Sequence, residues 1–325
     1  MALPVMTHDG LGVAIDAALP RVRALLEPTP LQHSPALSER AGRPVHLKCE
    51  HVQPTGSFKV RGAANALTLL REAGHTRAVA ASTGNHGMAA AHVAGLLGME
   101  VEVYVPRDTA PVKLRGLRAS GAAVRTVAGD AAAAEAAARA AAGRAGLPYL
   151  SPYNDPAVIA GQGTMGAEIA EQLPGAAAVY IAAGGGGMLS GAGAALRERA
   201  PAAQVVGCWP EAAPTLLRCI EAGAQVEVAE GPTLSDGTAG GLEPGAITPA
   251  LAAGVMSRAR EVSEEAIAEG MRELMRSDRW LVEGAAAVAL AAALSDPAPP
   301  PGPAVVVLCG RNVDPEVAAR VLADG

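Results

Sequence analysis

Four short stretches of this 325-residue chain hold residue types that could do chemistry together. The first is Gln53-Pro54-Thr55-Gly56-Ser57-Phe58-Lys59-Val60-Arg61-Gly62, which contains the only phenylalanine of the sequence and a lysine beside it. Pro54 and Gly56 mark a turn. Ser57 stands where a helix N-cap is expected, and an apolar-periodic run from Val60 to Leu70 follows. A lysine in a first helical turn meets the positive end of the helix dipole. That repulsion favours the neutral amine, the form that condenses with a carbonyl. A solvated surface lysine would show the same local sequence, so the other stretches must decide.

The second stretch is Ala183-Gly184-Gly185-Gly186-Gly187-Met188-Leu189-Ser190-Gly191. It follows an apolar strand and opens a helix. Consecutive glycines there leave backbone N–H groups uncovered at a positive helix end, which makes a phosphate cradle. Without G-K-[S/T] it is not a nucleotide P-loop. Two rivals remain: a tight strand-to-helix turn, and a dinucleotide site loosely mimicked by Gly185, Gly187 and Gly191, whose last glycine falls one residue late. The third stretch, Ala81-Ser82-Thr83-Gly84-Asn85-His86-Gly87, joins another strand to a helix. Small hydroxyls, an amide and free N–H groups suit a carboxylate; plain N-caps and an ordinary helical histidine are the alternative. The fourth, Leu308-Cys309-Gly310-Arg311-Asn312-Val313-Asp314, lies at the end of the last expected strand, where open α/β sheets place ligands. A buried cysteine there is otherwise core.

These stretches need elements to hold them. Apolar runs at 45–49, 78–81, 101–105, 124–127, 147–150, 178–182, 204–208 and 304–308 read as strands. Helical patterns at 11–27, 84–97, 110–119, 131–142, 158–173, 262–276, 283–294 and 314–322 alternate with them. The alternation, with strands apolar on both faces, predicts parallel sheets covered by helices. Composition shifts around Ser151-Pro152-Tyr153-Asn154, and residues 230–244 read as a turn-rich loop.

The bulk properties narrow the function. The length suits one large or two medium domains. Half the residues are hydrophobic but only 2% are aromatic, so the core is built from small aliphatic side chains. A net charge of −6 with no basic run argues against nucleic acid. Residues 1–5 lack a basic start and an apolar run, so no signal peptide is expected. No stretch has membrane character; the alanine-rich segment 131–142 carries Glu135 and Arg139. The four cysteines are scattered without metal-ligand spacing and suit a reducing cytoplasm.

In order, S-F-K-x-R-G, S-x-G-N-H-G, G-G-G-G-M and C-G-x-N-V-D resemble the fold type II pyridoxal-phosphate enzymes, the tryptophan synthase β-subunit-like superfamily, and within it the threonine/serine dehydratase and serine racemase branch. The resemblance runs from about residue 29 to 314. It implies a two-domain, three-layer α/β/α fold with parallel sheets, a large domain of residues 1–72 plus 151–325, and a small mobile domain of 73–150. It also implies that Lys59 holds pyridoxal 5′-phosphate as a Schiff base and serves as catalytic base. Phe58 would pack on the ring, Asn85 reach the ring hydroxyl, and Gly184, Gly185, Gly186, Gly187 and Met188 bind the phosphate. Cys309 would meet the pyridine nitrogen, with Glu283 nearby. Ser82, Thr83, Gly84 and His86 would take the substrate carboxylate, and Tyr153 and Arg311 would line the substrate side.

The implied reaction is β-elimination from a 3-hydroxy amino acid, L-threonine or L-serine by default, giving a 2-oxo acid and ammonia. Dehydration of 3-phenylserine or 3-hydroxyaspartate, racemisation of serine or aspartate, and β-replacement are alternatives. Thr83 stands where racemases of this branch carry a serine, which weighs against racemisation. Trp209 and Thr215 stand where the racemases' divalent-metal carboxylates would be, so no metal site is expected, and Glu211 reads as a solvated carboxylate. Arg311 replaces a glycine; a structural salt bridge is the favoured reading of it. The loop 233–241 is similar to the dehydratases' D-G loop. A regulatory C-terminal domain is not expected, and a homodimer is implied by the family alone.

Overall fold

The computed structural model describes residues 8–323, so the reading of residues 1–5 lies outside them. Nine strands, β1 (Leu31–His33), β2 (Val45–Lys48), β3 (Arg77–Ala81), β4 (Glu100–Pro106), β5 (Ala123–Val127), β6 (Ala178–Ala182), β7 (Gln204–Pro210), β8 (Arg258–Val262) and β9 (Ala304–Val307), form two sheets among the described residues. Thirteen helices cover them: α1 (His8–Arg23), α2 (Pro35–Ala41), α3 (Lys59–Glu72), α4 (Asn85–Leu97), α5 (Pro111–Ala119), α6 (Ala131–Ala145), α7 (Pro156–Gln172), α8 (Gly187–Arg199), α9 (Thr215–Ala222), α10 (Thr248–Val255), α11 (Glu264–Ser277), α12 (Gly284–Leu294) and α13 (Pro315–Ala323).

The larger sheet runs β1-β2-β9-β6-β7-β8 and is parallel except for the β1–β2 pair. Every residue of β6 and β9 is buried, as befits central parallel strands covered on both faces. The smaller sheet is β3-β4-β5, also parallel, with Tyr149 bridging to Val79 at its edge. Its two faces can be read from alternate residues. Ala78 and Ala80 join the core with α3 and α4, whereas Val79 packs against Ala138 and Ala142 of α6.

Several expected elements shift. Residues 147–150 form a bridge rather than a full strand. The first helix ends at Arg23. Elements β1, α2, α9, α10 and β8 were not anticipated. Ser57 is not the cap of α3: Phe58 occupies that position, and Ser57 instead bridges to Gly310. The lysine stretch is thereby stitched to the cysteine stretch, with Phe58 N donating to Cys309 O at 3.0 Å and Arg311 N to Gly56 O at 2.9 Å.

Behind α3 lies a fully buried charge cluster. The Arg61 guanidinium grips Glu50 (2.7 and 2.8 Å) and Glu168 (2.6 and 2.7 Å), while Lys48 Nζ donates to Glu168 at 2.6 Å and to Thr29 O at 2.9 Å. Burial opposes the charge of Glu50, but Arg61 prevails and holds that carboxyl below its usual range. The cluster ties the end of β2 to α3 and α7, fixing the helix that begins with Lys59.

Candidate active site

The four chemistry-bearing stretches meet in one cavity of about 630 Å³. Each follows the C-terminal end of a strand: β2 by way of the 50–58 turn, β3, β6 and β9. That is where parallel sheets present helix N-termini and loop amides to ligands.

Lys59, the first residue of α3, faces the cavity. Its Nζ donates to Pro152 O at 2.8 Å and stands 5.2 Å from the centre of the Phe58 ring. Burial lowers its pKa to about 8, against the opposing pull of Cys309 and Glu283. A minority of the amine is therefore neutral near physiological pH, but far more than for an ordinary lysine.

Gly184–Gly187 form a turn packed too closely for side chains. A Cβ on Gly184 would sit 2.8 Å from the Thr238 backbone, and one on Gly185 would sit 2.4 Å from the Tyr153 ring. Gly186 has a φ of +88°, a left-handed conformation that favours glycine. Glycine is thus required at these positions by contact as well as by access. Met188 lies in the first turn of α8, whose leading amides are free of intrahelical partners.

Across the cavity, Asn85 Nδ2 donates to both oxygens of Glu283 at 3.0 and 3.1 Å, and its Oδ1 accepts from Asn312 at 2.6 Å. Burial raises the pKa of Glu283 to about 7. Cys309 Sγ lies 3.9 Å from Glu283. Burial, reinforced by that carboxylate, pushes the thiol well above its ordinary pKa, so it is a neutral group. A side chain at Gly310 would collide with Glu283 at 2.3 Å.

Ser82, Thr83 and Gly84 form the lip of α4 and line the cavity. His86 also lines it, but its ring is turned to Leu150 O at 2.9 Å, and burial lowers its pKa to about 3. It can offer its backbone amide, not an imidazolium. Tyr153 lines the wall, and its hydroxyl accepts from Glu243 N at 2.6 Å. Arg311 is the exception among the expected residues. It is exposed and absent from the cavity wall, because its backbone pairs with Gly56 while its side chain turns outward. It forms no ion pair among the described residues, so the salt-bridge reading also falls.

Trp209 and Thr215 are buried, Thr215 bonding Glu230, and Glu211 is exposed. The sequence did not single out Asn312, Lys113 or Gln162, and it pointed to Asp236 only as part of the loop 233–241. Asn312 sat inside a quoted motif but was overshadowed by its charged neighbour. Lys113 and Asp236 come to the rim from distant segments and pair at 3.4 Å.

Comparison with known proteins places this geometry. Residues 22–310 match the family described as pyridoxal-phosphate dependent enzyme. An L-threonine ammonia-lyase of Geobacter sulfurreducens is 37% identical over 313 residues, 96% of this chain and 78% of that protein. A beta-hydroxyaspartate dehydratase of Paracoccus denitrificans is 33% identical over 300 residues, 92% of this chain and 95% of that protein. Among solved structures, a threonine deaminase from T.th. superposes with a TM-score of 0.87, at 35% identity, over 93% of this chain and 98% of that one.

Proposed function

The chain belongs to the family of pyridoxal-phosphate dependent enzymes, and from that premise we propose that it is an ammonia-lyase acting on a 3-hydroxy amino acid, L-threonine or L-serine first. The observation that carries this reading is a buried, readily neutralised lysine facing a glycine cradle in one cavity, with a neutral thiol on the wall. The site fits the cofactor on its own geometry. The cradle is one that any Cβ would fill, and the amine is in the protonation range for joining an aldehyde.

Lys59 would hold the aldehyde end, Phe58 the ring face, and the amides of Gly184–Gly187 and Met188 the phosphate. Asn85, steadied by Glu283 and Asn312, would flank the ring. When bound, the cofactor supplies an electron sink that makes the α-proton of an amino acid removable. Lys59 Nζ takes that proton as general base. Cys309, neutral and weakly polar on the cavity wall, would give a ring nitrogen little stabilisation of positive charge, an environment that would suit elimination better than racemisation. The Ser82–Gly84 lip and the leading amides of α4 orient the carboxylate. The elimination expels one water and the later hydrolysis takes one up, so the net products are a 2-oxo acid and ammonia. We read residues 73–150 as a unit that closes over the site and excludes water. The family resemblance further supports a homodimer, and the four free cysteines suit a reducing compartment such as the cytoplasm.

A second reading has one observation in its favour. Lys113 presents an exposed ammonium at the cavity wall, balanced only at 3.4 Å by exposed Asp236, and such a cation could receive the distal carboxylate of 3-hydroxyaspartate. The test is 2-oxo acid release from L- and D-serine, L- and D-threonine, 3-phenylserine and 3-hydroxyaspartate. Release from L-threonine and L-serine is expected. A rank order led by 3-hydroxyaspartate would favour the second reading. No release, with cofactor bound, would overturn the lyase in favour of racemisation or β-replacement.

A further inference from the structure

Gln162 is 1% exposed, sits in the middle of α7, and touches both halves of the site without lining it. Its Nε2 donates to Pro152 O at 3.4 Å, the same oxygen that accepts from Lys59 Nζ at 2.8 Å. Its Oε1 is buried without a hydrogen-bond partner and faces the cradle: a Cβ on Gly187 would lie 2.6 Å from it. Its Cγ lies against α3, where a Cβ on Gly62 would come within 3.2 Å. One side chain thus spans from the helix that begins with the lysine to the helix that begins at the cradle.

The backbone around it is built for that span. Gly161 lets α7 lie flush on α3, since a Cβ there would meet Arg61 O at 2.5 Å. Gly163 and Gly166 do the same toward α8, against Gly191 O at 2.9 Å and Ala192 O at 2.3 Å. Gln162 is therefore seated between two helices that cannot approach or recede without disturbing it. A neutral amide suits the place: it can offer a donor to one end and an acceptor to the other, with no charge to desolvate.

We propose that Gln162 is a positioning residue that couples the amine of Lys59 to the phosphate cradle, holding the two at the separation the cofactor spans. The proposal rests on the pyridoxal-phosphate reading of the site. In its terms, filling the cradle improves the placement of the amine, and the communication runs through the Gln162 amide and the Pro152 carbonyl.

The test uses pyridoxal 5′-phosphate, phosphate-free pyridoxal and inorganic phosphate as probes. Amine and aldehyde condense with loss of water, and borohydride reduces the C=N bond to a stable pyridoxyl-lysine, counted at Lys59 by peptide mass. In the wild type, inorganic phosphate should raise the labelling of Lys59 by subsaturating pyridoxal several-fold. In Gln162→Met that enhancement should vanish and affinity for pyridoxal 5′-phosphate should fall roughly 10- to 100-fold, the scale expected for a misplacement of about 1 Å, while labelling by pyridoxal alone stays at the wild-type level. Should Gln162→Met not fold by circular dichroism, Gln162→Glu, which keeps the length but lacks the donor, carries the same expectation. Retained enhancement and affinity, or equal loss of all labelling, would overturn the proposal. Failure of the wild type itself to label at Lys59 would instead strike the cofactor assignment of that lysine.

Discussion

Lys59 and Glu283 share a cavity, and burial moves both toward their neutral forms from opposite sides. The folded lysine titrates near 8 instead of 10.5, and the folded carboxyl near 7 instead of 4.5. Two outcomes follow. The rate at which the cofactor-free protein takes up pyridoxal phosphate, followed by absorbance, should climb through about pH 8 and level off above it, and Lys59→Ala should abolish uptake. Folded Glu283 binds more protons than the unfolded chain between pH 4.5 and 7, so its contribution to stability is lost as pH rises through that window. Glu283→Gln should remove this decline, on the order of 2 kcal/mol, in urea unfolding of the cofactor-free protein at about pH 5 and about pH 7.5. At this scale the lysine and glycine stretches were legible because each is a local arrangement: a turn, a helix start, a run without side chains. Arg311 misled because its charge drew attention while its backbone fixed its side chain outward. Gln162 was invisible because its partners lie on other elements and its helix reads as ordinary.

The elements that hold the site depend on the buried cluster of Lys48, Glu50, Arg61 and Glu168. Removing one member strands an opposite charge out of water, which costs about 3–5 kcal/mol. Arg61→Met or Glu168→Gln should therefore lower the urea midpoint strongly. In wild type, about 1 M salt should leave this contribution nearly intact, unlike that of exposed pairs such as Arg77–Glu100. The strand–helix alternation of the sequence predicted the parallel sheets, since strands buried on both faces read as apolar runs. Elements at the margin did not show themselves this way. Strand β8, Arg-Ala-Arg-Glu-Val, carries charges because it is an edge. Strand β1 is three residues long, and α9 and α10 are eight residues each, lying between glycine- and proline-rich segments.

Across the whole molecule, two ion pairs fasten helices of the smaller sheet to one loop of the larger. Lys113 of α5 meets Asp236, and Arg139 of α6 meets Glu243, whose carboxylate also accepts from Ser151. If residues 73–150 close as a unit, these pairs determine how the closed form is held. Asp236→Ala leaves Lys113 unopposed and should lower the KM for 3-hydroxyaspartate several-fold relative to that for L-threonine. Glu243→Gln should raise KM with little loss of bound cofactor, and a bound substrate analogue should then no longer protect residues 107–131 from protease. The fold's poverty in aromatic side chains has a separate use. The sequence holds two tryptophans. Trp209 is sealed in β7 at 0% exposure, whereas Trp280 meets His51 edge to face, ring centres 4.6 Å apart, three residues before Glu283. The molecule thus carries its two tryptophans in separate places, one deep in the larger sheet and one half-buried against His51, close in sequence to Glu283. Emission from Trp280→Phe and Trp209→Phe proteins, excited selectively at tryptophan, would show whether the segment leading to Glu283 loosens before the larger sheet melts, with no dye or label attached.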